Sequence, residues 1–144
     1  MIPRPARLLP AALMLAFGGC TADANPSTLD GTYMLVTENG HTLPTNPYAP
    51  FGCCITLTGS LTLDCLSYDV RASYRNVNNG ILFDNSEQGT FTREGDSLRF
   101  VRTGGGGQMF PYLLAAGVID GNAIVLRYGD EGPGSNQVEG VFRR

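Results

Sequence analysis

From Leu29 to the C-terminus the chain alternates apolar and polar residues in short runs, and no stretch keeps a helical apolar period for three turns. Such a chain can bury one face of each run only by pairing it as a β-strand. The runs are Thr32 to Thr37, Ile55 to Leu63, Tyr68 to Arg75, Thr90 to Arg93, Leu98 to Arg102, Phe110 to Ile119, Ala123 to Tyr128 and Val138 to Arg143. Between them sit many of the 19 glycines and 9 prolines, acting as turn punctuation. Glu94-Gly95-Asp96 and Asp120-Gly121-Asn122 read as tight hairpin connections. The segment Gly80 to Asn85 adds a short piece before Thr90. About eight antiparallel strands in sequence order predict an all-β, up-and-down barrel, because closing the sheet removes exposed edges.

One run tests that count. In CCITLTGSLTLDC, residues 53 to 65, the apolar positions Ile55, Leu57, Leu61 and Leu63 are odd, whereas Thr56, Thr58, Ser60, Thr62 and Asp64 are even. A hairpin with Gly59-Ser60 as a two-residue loop would pair Leu57 with Thr62 and mix the two faces, which a half-buried sheet does not tolerate. A three-residue loop keeps the parity and aligns Cys53 with Cys65, but it wants Gly third, and here Gly is second. One continuous strand kinked at Gly59 is therefore expected. Its ends are roughly 40 Å apart, so Cys53 and Cys65 are not expected to bond to each other.

The N-terminus reads differently. Arg4 and Arg7 precede an apolar run from Leu8 to Phe17, with Gly18 and Gly19 before Cys20, the layout of a secretory signal. Ten apolar residues are about half of what a membrane span needs. Phe17-Gly18-Gly19-Cys20 resembles the lipobox of bacterial lipoproteins, which implies lipidation at Cys20. Ala22-Asp23-Ala24 is the rival, an A-x-A cleavage site that would leave Asn25 first in a secreted protein. The expected organisation is a signal peptide over 1–19, a flexible tether over 20–28 and a barrel domain over 29–144. Either route places the mature protein outside the cytoplasm, with a lipid-anchored envelope protein as the first expectation. A diacylglycerol plus an amide-linked acyl chain is enough for stable attachment to the bacterial membrane.

Charge narrows the partners. All ten basic residues are Arg, and the formal net charge is −3. Without Arg4 and Arg7, eight Arg face 13 acidic residues, a net charge of −5. Phosphate backbones call for a basic excess, so nucleic acid is not an expected partner.

No motif announces catalysis. His41 is the single histidine and follows Asn39-Gly40 in a polar turn, with no Ser or Cys and carboxylate assignable to it by spacing. Glu94/Asp96 and Asp130/Glu131 lie in Gly-containing turns, where carboxylates serve turn chemistry. Gly104 to Gly107 lacks the Lys-Ser/Thr of a phosphate loop, and Asn76 to Gly80 lacks the carboxylates of a calcium loop. Cys53, Cys54 and Cys65 lack zinc-ligand spacing with His41. With Cys20 lipidated, they read as one structural bridge plus a leftover thiol. No catalytic residue, metal or cofactor is expected.

The segments LDGTYMLVTENGHTLP, TGSLTLD, QGTFTREGDSLRF, VIDGNAIVLRY and EGVFRR are similar to those of small bacterial lipocalin-like lipoproteins and secreted proteins. Gly31-Thr32-Tyr33 stands where lipocalins carry Gly-x-Trp on the first strand. Arg143 stands where they carry a last-strand Arg that covers the Trp. The resemblance implies a barrel with a cavity or a packed core, closed by Arg143 over Tyr33. It implies no catalytic residues.

Met109 to Ile119 is apolar on both parities, so one face should line the core and the other meet a partner, the membrane surface or the loop Asn39 to Cys54, with Leu43, Tyr48 and Phe51. The functional expectation is non-enzymatic binding of a small apolar ligand in the barrel mouth, with Tyr33, Phe110, Tyr112 and Tyr128 as candidate contacts. The alternative is a packed barrel that binds another envelope protein as a structural, assembly or inhibitory module.

Overall fold

The computed structural model describes residues 29–47, 53–106, 114–129 and 137–144. Nine strands follow in chain order: β1 (Gly31–Glu38), β2 (His41–Thr42), β3 (Cys54–Asp64), β4 (Ser67–Asn76), β5 (Leu82–Glu94), β6 (Ser97–Gly105), β7 (Leu114–Asp120), β8 (Ala123–Tyr128) and β9 (Val138–Arg143). β2 is a two-residue extension hairpinned onto β1. The other eight pair antiparallel with their sequence neighbours, and β1 pairs with β9. The result is a closed eight-stranded up-and-down barrel, as the alternation predicts.

The two ends differ. Strands β3 and β4, β5 and β6, and β7 and β8 are joined at one end by two-residue turns: Cys65-Leu66, Gly95-Asp96 and Gly121-Asn122. Gly95 and Gly121 have φ near +60°, the left-handed backbone that Gly adopts without steric cost. Cys65 adopts the same conformation, and its N–H is held by the Asp30 carboxylate at 3.0 Å. Asp30 and Arg144, on either side of the closing pair β1 and β9, also lie at this end. The connections β1 to β3, β4 to β5, β6 to β7 and β8 to β9 leave from the opposite end, here called the mouth.

The closed end is filled. Leu61, Leu63, Leu98, Ile124 and Leu126 are at most 1% exposed, each stabilising the fold by about 1.5–3 kcal/mol through burial. Tyr33, Tyr68, Phe91, Phe100 and Phe142 complete this core, with the Tyr68 and Phe100 rings edge to face at 5.0 Å.

β3 is the continuous strand expected, and Cys53 is bonded to Cys54 rather than to Cys65. Its kink is not at Gly59. Leu57 is an extra residue in the ladder with β4, since Thr56 pairs with Tyr74 and Thr58 with Ser73. Gly59 is needed for a different reason: a Cβ there would meet Leu35 Cδ2 at 2.8 Å. The bulge also corrects the parity reading. Leu61 and Leu63 face the core, but beyond the bulge Thr56 and Cys54 turn inward, and Ile55 and Leu57 are only half-buried.

β5 is longer than expected, thirteen residues from Leu82 to Glu94 rather than Thr90 to Arg93 with a detached piece. The gap between the two expected pieces, Ser86-Glu87-Gln88-Gly89, falls where the inward positions Asn85 and Glu87 are polar. The structure buries them nonetheless, at 4% and 1% exposure. On β7, Gly117 is buried and Ile119 half-buried, whereas Val118 is 51% exposed. Leu43 from the Asn39 to Cys54 loop packs against the core cluster. Tyr48, Phe51 and the part of the Met109 to Ile119 run before Leu114 lie outside the described residues.

The closing contact also differs. β1 pairs Met34 with Arg143 and Leu35 with Phe142, so Phe142 faces inward and Arg143 outward. Arg144, one residue further on, shares the inward parity, and its guanidinium carbon lies 4.9 Å from the Tyr33 ring centroid.

Candidate functional site

Toward the mouth the barrel interior changes from hydrocarbon to polar side chains, because two bulges on neighbouring strands reverse their parity at the same level. On β1, Leu35 pairs with Phe142 and Thr37 with Val141, leaving Val36 as the extra residue. Without it Thr37 would face the core; with it Glu38 does, fully buried. On β3 the bulge at Leu57 brings in Thr56, also fully buried. The two bulges therefore place a carboxyl and a hydroxyl together inside the barrel.

A third strand completes the group. The Tyr128 hydroxyl, on β8, donates to Glu38 Oε1. Its ring crosses β9 at Gly140, where a Cβ would meet Tyr128 Cε1 at 2.7 Å and its hydroxyl at 2.8 Å. Glu38 Oε2 and the Thr56 hydroxyl have no access to solvent. Burial raises the Glu38 pKa above its ordinary value, against a smaller downward pull from Thr56 and Tyr128. Among the described residues, the ion pairs Arg71–Asp69, Arg93–Asp96 and Arg127–Glu139 lie on the outer surface, and none reaches Glu38.

A second tyrosine–glutamate pair follows the same plan. Tyr68 on β4 donates to Glu87 Oε1 on β5 at 2.6 Å, and its ring lies against Gly89, where a Cβ would come within 2.8 Å of Tyr68 Cε1. Desolvation pushes the Tyr68 pKa up first, and the hydrogen bond and charge of Glu87 add to it. At the mouth, the rings of Tyr74 and Phe83 stack at 5.2 Å beside Ala72 and the Cys53–Cys54 disulfide.

The expected site residues are dispersed. Tyr128 is in the Glu38 group. Tyr33 lies at the closed end, where its hydroxyl donates to the Leu29 carbonyl at 2.9 Å under Arg144. Phe110, Tyr112 and Cys20 lie outside the described residues. His41 is exposed on β2. Sequence reasoning missed Glu38, Thr56, Asn85 and Glu87, since no local signal marks them as inward-facing. Among the described residues, no group of three or more His, Cys, Asp or Glu could hold a metal ion. On the outer surface, a groove of about 500 Å³ runs over β3 to β6, lined by Thr62, Asp64, Ser67, Asp69, Gln88 and Thr90 among others.

Comparison with family models, with curated proteins and with solved structures finds no match.

Proposed function

We propose that this chain is a lipocalin-like, non-enzymatic binding protein of the bacterial cell envelope, tethered through Cys20, that takes one small and largely apolar ligand at the barrel mouth. The observation that carries this reading is the asymmetry of the barrel. The closed end is filled by its own side chains, Leu29 among them. The connections β1 to β3, β4 to β5, β6 to β7 and β8 to β9 leave from the other end. A tether at the closed end would hold the membrane there and leave the mouth facing away from it. Because the lower half is packed, the ligand sits shallowly, against the Tyr74–Phe83 stack, with the buried polar groups below it. Titration with N-phenyl-1-naphthylamine, an apolar fluorescent probe, is the test. Saturable binding at one site per chain supports the reading; no binding, with nothing small co-purifying in native mass spectrometry, overturns it.

A second reading has its own observation. The β4–β5 tip presents Val77, Ile81 and Leu82 at 46%, 60% and 66% exposure. Asn76 and Asn79 side chains brace it by accepting from the Asn78 and Ile81 N–H groups at 2.8 and 3.0 Å. A rigid aliphatic tip suits docking to another envelope protein. A photo-crosslinker at position 81 that captures one discrete envelope protein in cells, lost in Leu82→Asp, would favour this reading over the carrier.

A further inference from the structure

We propose that Glu38 is a pH-operated latch on the seam of the barrel: neutral, it seals the mouth end of β1 against β3 and β8, and ionised, it drives that corner open. The latch needs no ligand, so its test stands apart from the binding reading.

The geometry carries it. Glu38 is the last residue of β1 and pairs with Gly140 of β9 at the ladder that closes the barrel. Beyond it, the Asn39 N–H donates to the Glu139 carbonyl at 2.7 Å, and the Glu139 N–H donates to Asn39 Oδ1 at 2.9 Å. The carboxyl is fully buried and takes a hydrogen bond from Tyr128, with the Thr56 hydroxyl as its other polar neighbour. An ionised carboxylate in that position would hold its charge in a dry interior with only neutral hydroxyls beside it.

No described neighbour relieves it. From β8 the facing group is the Tyr128 hydroxyl, and from β3 it is the Thr56 hydroxyl. β9 contributes Gly140, which has no side chain, while Glu139 turns outward to Arg127 at 3.7 Å. β2 pairs through its backbone, with His41 exposed. The second buried acid, Glu87, has its own tyrosine. The neutral acid is therefore the form that fits the closed corner, in line with the upward shift of its pKa. Opening admits water, and the proton passes to solvent.

The open carboxyl titrates near its ordinary value of 4.5. Between there and the higher pKa of the closed form, one proton links opening to pH, so each pH unit raises the open-to-closed ratio about tenfold. Native-state hydrogen exchange at the Asn39 and Glu139 amides measures that ratio once the intrinsic base-catalysed rate is divided out. Wild-type protection should fall about tenfold per unit across this window and then level off, whereas Glu38→Gln should show no pH dependence. In Tyr128→Phe the window should extend to higher pH, because the lost donor favoured the charged form. Equal pH slopes in wild type and Glu38→Gln, or a flat wild-type profile, overturn the latch. If Glu38→Gln does not fold, the direction of the Tyr128→Phe shift decides, and a downward shift overturns it.

Discussion

The Arg144 guanidinium lies over the Tyr33 ring and donates through Nη2 to the Asp30 carbonyl, so the last residue of the chain is fixed against the start of the first strand. Arg144→Ala should cost about 0.5–2 kcal/mol, and Arg143→Ala, on the outward face, less than about 0.5 kcal/mol. Deleting 141–144 also removes the buried Phe142 and bares the edge of β1, a loss of at least about 3–5 kcal/mol. Urea denaturation of the three variants beside the wild type ranks them; equal stability of the two point variants would show that Arg144 closes nothing.

Stability should depend on pH through Glu38. Its pKa is raised in the fold, so the folded state binds more protons than the unfolded state once pH exceeds about 4.5. Its contribution is complete below that value and is lost as pH rises through the folded pKa, at up to about 1.4 kcal/mol per unit. Glu38→Gln should match the wild type near pH 4.5 and exceed it at pH 7.5. Denaturation midpoints at the two pH values check the crossover.

Tyr68 should resist ionisation beyond the pH at which an ordinary tyrosine titrates, because burial and the Glu87 charge both favour its neutral form. Tyr68→Phe removes a hydrogen bond to the buried Glu87 carboxyl, at a cost of about 1–3 kcal/mol. Ultraviolet titration of the wild type and denaturation of the variant measure the two effects.

Gly140→Ala should disturb the Tyr128–Glu38 contact, since the added Cβ falls 2.7 Å from the Tyr128 ring. Overpacking of this kind costs about 1–3 kcal/mol. Gly89→Ala should be worse, because its Cβ would sit 2.0 Å from the Val101 carbonyl oxygen, which is backbone and cannot swing aside. Thermal unfolding of the pair gives the order.

Intact mass and non-reducing peptide mapping bear on the tether. A Cys53–Cys54 bridged peptide is expected, and Cys20 should carry the lipid, with Cys20→Ala released from membranes. Cys65 is also disulfide-bonded, so it is not the leftover thiol that the sequence suggests. A thiol in a diacylglycerol thioether cannot also form a disulfide. A Cys20–Cys65 peptide, or a mature chain starting at Asn25, refutes lipidation.

The strands, their turns and the closure of the sheet were legible in the sequence by itself, because alternation and turn chemistry are local: Ile124, Leu126 and Tyr128 mark one face of β8 whatever lies beside it, and Gly121 turns the chain without help from a neighbour. The inward positions of Glu38 and Thr56 were not. They depend on the extra residues Val36 and Leu57, and a bulge is a property of two paired strands rather than of either one. The same holds for Asn85 and Glu87, whose polarity hides a strand that only its partners β4 and β6 reveal, and for Arg144 in place of Arg143, which the register of β9 on β1 alone decides. Tertiary structure chose which residues to bury, because only strand register determines which side chains share the enclosed interior.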